Sequence, residues 1–328
     1  MSLNINDTTY SGTYASYFWL PATFGMDTIQ KGGVYVKDGI KKKHTIDRMD
    51  FSTPLQERAA TPTSSGDFTI TGRVLTPADI MLYTEFNPRN YEESFVAEQL
   101  SKTLLAREVP VTVESYMMQI ALNRAMEQVE AGLWMGSTSY TVPIGSAGNG
   151  QLKFFDGFLK KMVTDSAVQK VASPATLTSS NVLAAMDSLI TLTAANKKAL
   201  LSRPTRFDRL KFFVSVNTEQ LYQTAALNLT FKGQQFNSGQ ALPYKGYQVV
   251  TLAGLPDNTI LFCEGLADTS SNLYVGMNST EDNQLQLQRL QNNSELFFLK
   301  GLMKYDVQYG FSEEVFLYTT LVAADFDA

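Results

Sequence analysis

Few side chains in this sequence could do chemistry. The 328-residue chain contains one His, His44, and one Cys, Cys263. A structural zinc site takes about four Cys or His ligands, so these two residues cannot build one. Hydrolases and proteases that need a histidine base would all depend on His44, which directly follows a run of lysines. A single Cys also excludes a disulfide within the chain.

The acidic residues give no better candidate for a catalytic site. The closest groups are Glu92 and Glu93, Glu313 and Glu314, and Asp325 and Asp327. Paired carboxylates can act as acid and base or hold a cation, but sequence neighbours on a strand point to opposite faces. We interpret them as solvated surface residues. Cys263 follows the apolar residues 260–262 and is expected to be an inert buried thiol. The sequence therefore predicts no enzyme, no metal site and no cofactor.

The composition predicts a folded chain with more than one subdomain. Hydrophobic residues make up 44% of the chain, and its length exceeds the roughly 250–300 residues at which one core stops growing. A net charge of −5 argues against a basic surface dedicated to duplex DNA. We expect no membrane span and no secretory signal, because no apolar run approaches about 20 residues and no cationic leader precedes one. The expectation is an intracellular product.

Hydrophobic periodicity divides the chain into segments. Residues 1–39 lack a sustained hydrophobic period, and this predicts an N-terminal arm. The alternative is an ordinary first strand and loop of the same domain. Residues 40–76 contain two extended stretches around a turn-rich tip at 59–66, which predicts a projecting hairpin or, alternatively, a mobile surface hairpin. A helical apolar stripe predicts a long helix over about 110–136; its residues are Met118, Leu122, Ala125, Val129 and Leu133.

The remaining segments alternate helices with strands and then return to strands. In 151–270, the pattern predicts a helix from Asn181, a strand over 210–216, and a helix opened by a capping box of Asn217 and Gln220. Two further strands, over 247–252 and 259–263, flank a turn at 256–258. In 271–328, apolar and polar residues alternate over 303–309, which predicts a strand with one buried face.

Several short stretches resemble the major capsid proteins of tailed phages and prophages of the Bacteroidetes. In chain order they are residues 10–16, 32–37, 40–43, 71–77, 91–95, 243–250, 253–258, 272–276 and 307–315. They include Thr71-Gly-Arg-Val-Leu-Thr-Pro77 and Pro243-Tyr-Lys-Gly-Tyr-Gln-Val-Val250. Together these stretches span the chain from about residue 10 to residue 319, so the resemblance covers most of its length.

The resemblance implies an α+β fold of the Hong Kong 97 type. Its parts would be an N-terminal arm (1–39), an E-loop hairpin (40–76), a P-domain with the long spine helix (77–150), an A-domain (151–270), and return strands that complete the P-domain (271–328). The implied function is a major capsid protein that assembles with copies of itself. Hexamers and pentamers would form an icosahedral head shell around phage genomic DNA.

The resemblance also implies partners and a location. The partners would be portal, scaffolding and decoration proteins, together with double-stranded DNA that is enclosed without sequence-specific binding. The location would be the virion head, after assembly in the host bacterial cytoplasm, without a membrane. An encapsulin-like nanocompartment shell is the first alternative, and a hydrolase that uses acidic residues is the second.

Contacts between subunits are predicted in the arm and at the base of the hairpin. The candidate interface residues are Tyr14, Phe18 and Trp19 in the arm, and Lys41, Lys42, Lys43 and Arg48 in the hairpin. We expect the lysines to meet an acidic surface on an adjacent copy, because this short run is basic within an acidic chain. The alternative is a solvated run of charge.

Overall fold

The computed structural model describes residues 7–11, 25–51, 55–58, 60–61, 63–64, 66–87, 111–228, 243–278, 284–290 and 293–327. Its helices are α1 (Asp27–Gln30), α2 (Val111–Met135), α3 (Phe158–Thr164), α4 (Val182–Asn196), α5 (Lys198–Ser202), α6 (Arg206–Arg209) and α7 (Val216–Leu227). Short 3-10 turns lie at Gly148–Leu152, Ser312–Glu314 and Ala323–Phe326. Together with the strands described next, these helices make a mixed α+β fold.

In the described ranges the strands form three sheets. They are β1 (Asp7–Ser11), β2 (Tyr35–Lys37), β3 (His44–Phe51), β4 (Phe68–Leu75), β5 (Ala78–Phe86), β6 (Gln169–Lys170), β7 (Leu210–Val214), β8 (Gln248–Thr251), β9 (Thr259–Glu264), β10 (Leu273–Met277), β11 (Gln284–Leu290), β12 (Asn293–Tyr309) and β13 (Phe316–Thr319). The first sheet has the order β1-β11-β12-β10-β2, and β5 also pairs with β12. The second has the order β6-β13-β9-β7-β8, and β3 and β4 form a separate two-stranded hairpin.

The long helix α2 packs on the first sheet. Its 25 residues form a rod of about 37 Å at about 1.5 Å per residue. The five residues of the predicted apolar stripe are all buried, in one core with residues of β11 and β12 such as Leu285 and Met303. The prediction of a long helix with one buried stripe is confirmed. Its N-terminal limit at Val111 is within one residue of the predicted start.

The second sheet separates the first core from a second one. All six residues of β9 are buried, because each face of the sheet is covered. Leu261 and Cys263 belong to the first core, whereas Ile260 and Phe262 belong to the second, which also contains residues of α4 and α7. The prediction of a buried thiol is confirmed, and burial raises the pKa of Cys263 above its ordinary value.

The local predictions for 151–270 hold except at one helix start. Helix α4 follows Asn181, and the strands are close to their predicted limits. The capping box of Asn217 and Gln220 is wrong, because Ser215 is the N-cap of α7 and its hydroxyl accepts a hydrogen bond from Thr218 N–H at 3.2 Å. Serine and asparagine are both good caps, so the sequence did not distinguish them. Strand β7 accordingly ends at Val214.

Three segments pack in a different sheet or core from the one expected from the predicted domain limits. Strand β13, within 271–328, pairs with β9 in the second sheet instead of completing the first. Helix α3, within 151–270, buries Phe158, Leu159 and Met162 in the first core. Strand β2, within the predicted arm, pairs with β10 in the first sheet. The chain crosses between the sheets several times, and periodicity carries no signal of such crossings. The remaining domain limits stay a prediction.

Candidate subunit interface

The predicted hairpin is present as β3 and β4. The strands pair in antiparallel register from His44 opposite Leu75 to Phe51 opposite Phe68. Eight residues at about 3.3 Å each give a ribbon about 26 Å long. No third strand joins it among the described residues. An isolated two-stranded ribbon is marginally stable in water, so the attachment of its base decides whether it holds a fixed direction.

A small apolar cluster holds one end of the hairpin. Ile46 of β3 and Leu75 of β4 are buried together with Ile40, which precedes the hairpin, and Tyr274 of β10 packs against them. The backbone N–H of Ile40 also donates to Met277 O at 3.2 Å. These contacts tie the base of the hairpin to the β10 side of the first sheet.

Arg73 adds a polar clamp at the same end. Its guanidinium donates to Asp165 Oδ2 at 2.6 Å and to Ser312 Oγ at 3.1 Å. The Arg73 Cζ atom also lies 4.4 Å from the centre of the Tyr309 ring, and Tyr309 donates its hydroxyl proton to Asp165 Oδ2 at 2.9 Å. The planar guanidinium thus joins β4 to the residue after α3, to β12 and to the turn at Ser312–Glu314.

The clamp keeps the Asp165 carboxyl ionised. Burial alone would raise its pKa, but hydrogen bonds from Ala167 N–H, Arg73 and Tyr309 outweigh this effect. The net result is a pKa of Asp165 below its ordinary value of 3.8. The pKa of the Tyr309 hydroxyl is raised, because the hydroxyl is buried and donates to the same carboxylate.

A second carboxylate fixes the chain where it leaves the hairpin. Asp306 Oδ2 accepts a hydrogen bond from Thr76 N–H at 2.7 Å. The other oxygen, Oδ1, accepts from Lys161 Nζ at 2.9 Å, so the carboxylate also holds α3. Asp165 and Asp306 together hold both ends of the short segment from Arg73 to Thr76. The base of the hairpin is therefore held on the rest of the subunit by both apolar and polar contacts.

We expect Arg73→Ala to destabilise the unassembled subunit by about 2 kcal/mol, because it removes charge-assisted hydrogen bonds and a cation–π contact. Folding depresses the Asp165 pKa, so this stabilisation is present above pH 3.8 and lost as pH falls through the folded-state pKa. Urea unfolding at a series of pH values measures both effects.

The matched control for this clamp is Arg73→Lys. It keeps the positive charge but cannot reach Asp165 and Ser312 through a planar fork. We expect an intermediate loss of stability. An alanine variant as stable as the wild type at neutral pH would show that the apolar cluster alone holds the hairpin base.

The outer part of the hairpin exposes an apolar face. Met49 and Ile70 are directly opposite in the register, and Phe68 lies two residues from Ile70, so all three share one face. Their exposed fractions are 72%, 63% and 69%. Thr69 and Thr71 lie on the opposite face. Leu55, beyond the end of β3, is 90% exposed. Such a concentration of exposed apolar side chains on a projecting ribbon is typical of a protein–protein contact.

The predicted interface residues fall into two groups. Lys41, Lys42 and Lys43 are exposed and directly precede β3, beside the anchored end of the hairpin. Arg48 lies in β3 opposite Thr71, and its side chain lies outside the described part of the chain. The three arm residues Tyr14, Phe18 and Trp19 also lie outside the described residues. The interface role of all seven residues stays a prediction.

Helix α1, which lies within the predicted arm, is fixed to α2 by a buried carboxylate. Glu130 accepts hydrogen bonds from Thr28 N–H at 3.1 Å and from the Thr28 hydroxyl, and Trp134 Nε1 donates to that hydroxyl oxygen at 2.7 Å. Burial raises the pKa of Glu130; the Thr28 hydrogen bonds lower it in part, and the nearby Asp27 raises it further. The net pKa is above the ordinary 4.5.

A polar cleft lies beside the hairpin, and its two arginines and its lysine are ion-paired. Glu264 accepts from Arg203 at 2.6 Å and from Arg209 at 3.1 Å, and Lys197 contacts Glu313 at 2.5 Å. The described residues contain no group of three or more His, Cys, Asp or Glu that could hold a metal ion. In the same stretches, no helix is long and apolar enough to cross a membrane.

Sequence reasoning missed the residues that attach the hairpin and α1. Arg73 and Asp165 are separated by 92 positions, and Thr28 and Glu130 by 102. Arg73 does stand out as a charge within the apolar and threonine-rich β4, and Glu130 as an acid next to the apolar stripe of α2. Those local signals mark unusual residues, but they do not identify a partner.

Solved structures with the same architecture are assembled capsids. A chain of the satellite phage P4 procapsid, whose structure includes the size determination (Sid) protein, matches with a TM-score of 0.57 at 8% identity, over 92% of this chain and 98% of that one. The capsid of a native GTA particle matches with a TM-score of 0.57 at 11% identity, over 90% of each chain. The capsid of cyanophage A-1(L) matches with a TM-score of 0.55 at 12% identity, over 89% and 92%.

The chain has a phage capsid fold. The α+β capsid fold expected from the resemblance is confirmed, because these matches extend over about nine tenths of both chains. No protein-family model and no curated protein sequence matches the chain. Among the described residues, β3 and β4 contribute no side chain to either of the two large cores.

Proposed function

We propose that this protein is a major capsid protein whose function is self-association into a closed shell. The observation that carries the proposal is the capsid fold, shared with phage capsid structures over about nine tenths of the chain. The hairpin supports it independently. An anchored ribbon that exposes Met49, Phe68 and Ile70 gains stability only when another surface covers them.

The mechanism of self-association is burial of arm and hairpin surfaces on neighbouring copies. Obligate interfaces commonly bury about 2,000 Å² or more. Fully burying each exposed apolar side chain of the hairpin contributes about 1.5–3 kcal/mol, and the contact recurs at every copy. In this proposal the shell is an icosahedral head built from hexamers and pentamers, enclosing double-stranded DNA. Portal, scaffolding and decoration proteins would be its partners, and the virion its location.

We expect the purified protein to form capsomers or closed particles of megadalton mass. Light scattering after size-exclusion chromatography and negative-stain electron microscopy measure this directly. A protein that stays monomeric at high concentration, with its hairpin already ordered, would contradict the proposal. An enzyme would instead elute as a small oligomer, and hydrolase or transferase turnover that disappears in His44→Ala would overturn the proposal.

A further inference from the structure

We propose that the strand β1 is exchanged between copies in the shell, so that β1 of one copy pairs with β11 of a neighbouring copy. The proposal rests on the proposed function, because it names the surface that binds the arm of a shell subunit. In the single chain, β1 lies at one edge of the first sheet and pairs with its own β11. The antiparallel ladder runs from Asp7 opposite Gln288 to Ser11 opposite Gln284. The exchange keeps this ladder and changes only the copy that supplies the strand.

The ladder is the main attachment of β1. Among the described elements, β11 is the one with which β1 makes an extensive contact. The thirteen residues 12–24 separate β1 from the next described segment. The β11 strand of another copy offers the same backbone groups in the same order, because the copies have one sequence. Exchange of such an element between copies therefore loses none of its contacts.

The strand at the opposite edge of the same sheet is held differently. β2 pairs with β10, and the ring of Tyr35 packs edge-on against that of Tyr274 with their centres 5.6 Å apart. The helix just before β2, α1, is fixed to α2 through Thr28 and Glu130. The backbone N–H of Ile40, just after β2, donates to Met277 O at 3.2 Å. β2 is thus held in its own subunit by contacts on both sides, whereas β1 has a long connection to its nearest described neighbour in sequence.

The length of that connection permits the exchange. Fully extended, the chain from Ser11 to Gly25 reaches about 46 Å, at about 3.3 Å per residue. β1 and β2 lie at opposite edges of the first sheet, four strand spacings or about 19 Å apart. A connection that extends to more than twice this width can carry β1 to the sheet edge of an adjoining copy. Passing a strand to the next copy is a heterologous contact, which closes into a ring when the rotation permits.

The edge of β11 also specifies how an incoming strand pairs. Leu285 and Leu287 are buried, and the residues beside and between them are glutamines. Thr8 lies opposite Leu287, and Tyr10 lies opposite Leu285. A slip by one residue would place glutamines at both positions, so the period of two fixes the register. The edge therefore accepts β1 of this chain in one register, whichever copy supplies it.

Disulfide formation between chains that each carry one new cysteine tests the exchange. Thr9 and Gln286 are directly opposite in the ladder, and opposite residues on paired strands lie within the range of a disulfide. The native Cys263 is fully buried and does not compete. Thr9→Cys and Gln286→Cys chains are mixed in equal amounts, assembled and mildly oxidised. We expect about half of the chains to run as covalent dimers on a non-reducing denaturing gel, because half of the neighbours carry the matching cysteine.

The matched control replaces Gln286→Cys by Lys300→Cys. Lys300 is opposite Gln286 on β12, one strand farther from β1. Its distance from Thr9 is about 10 Å, or two strand spacings, which exceeds the reach of a disulfide. We expect at least tenfold less dimer from this mixture. If either test variant does not assemble, Ser11→Cys and Gln284→Cys, which are opposite in the same ladder, replace the pair.

A chain that carries both Thr9→Cys and Gln286→Cys checks the ladder itself. In the unassembled subunit it should form an internal disulfide and run as a monomer, whereas in particles it should give covalent multimers. Absence of a disulfide in both states would overturn the pairing on which the exchange depends.

Failure of the exchange is distinct from failure of the proposed function. A wild type that forms no particles would contradict the proposed function. Particles in which the mixed single-cysteine chains give no more dimer than the Lys300 control, and in which the double variant forms only its internal disulfide, would show that β1 stays on its own chain.

Discussion

Replacing Lys41, Lys42 and Lys43 together by Glu is expected to abolish particle formation while leaving the subunit folded. The three side chains are exposed beside the anchored hairpin base, so the fold does not depend on their burial. Each substitution exchanges a positive for a negative charge at every copy of a repeated contact. Attraction to an acidic neighbour would become repulsion, and the effect would multiply over a symmetric shell.

A single Lys→Ala change at these positions is expected to have little effect. An exposed charge pair contributes only about 0–1 kcal/mol. The control for the triple reversal is the triple Lys→Gln variant, which removes attraction without adding repulsion and should assemble with intermediate yield.

Particle yield against salt concentration measures the effect of the reversal. The difference from wild type should be greatest at low salt, because salt screens exposed charges over about 8–10 Å near physiological ionic strength. If the reversed protein assembles equally well at low salt, the lysines are a solvated run of charge and not an interface.

Removing the buried Glu130 carboxylate is expected to cost the subunit about 3 kcal/mol of unfolding free energy. Glu130→Ala leaves Thr28 N–H and the Thr28 hydroxyl proton without their acceptor in a buried site, and an unsatisfied buried donor costs about 1–3 kcal/mol. Glu130→Gln keeps one carbonyl acceptor in the same position, so it should lose less. Chemical denaturation of the unassembled subunit measures both variants.

The pH dependence separates the charge of Glu130 from its hydrogen bonds. Folding raises the Glu130 pKa above 4.5, so the stability linked to protonation is present below that pH and lost as pH rises through the folded-state pKa. As pH rises, the wild type should therefore lose unfolding free energy relative to Glu130→Gln, which does not titrate at this position. A difference that stays constant with pH would show that the carboxyl is not desolvated as described.

The attachments made by Asp165 and by Glu130 are expected to respond to acid in opposite ways. The pKa of Asp165 is lowered by Arg73, Tyr309 and a backbone N–H, so acid weakens the hairpin clamp. The pKa of Glu130 is raised by burial, so acid does not weaken the attachment of α1 in the same way. Acid titration should thus loosen the hairpin base before it loosens the attachment of α1 to α2.

Much of the secondary structure followed from local patterns. The apolar stripe of α2, the extended stretches of β3 and β4, and the alternation in β12 each have a period that matches one backbone geometry. The start of α7 was harder to predict, because Ser215 and Asn217 are both capable caps. The place of β13 in the second sheet could not be predicted, because its own residues do not encode which strand it pairs with.

By itself, the sequence determined which elements form and how little chemistry they can carry. One His and one Cys exclude a zinc site built from four such ligands and a disulfide within the chain, and the helical and strand periods follow from side-chain spacing. Only the tertiary structure decided how the hairpin is held, through Arg73 and Asp165, and how α1 is fixed to α2, through Thr28 and Glu130. The physical reason is the range of the interactions. Backbone periodicity acts over a few residues, whereas these attachments depend on side chains that the folded chain brings together from distant positions.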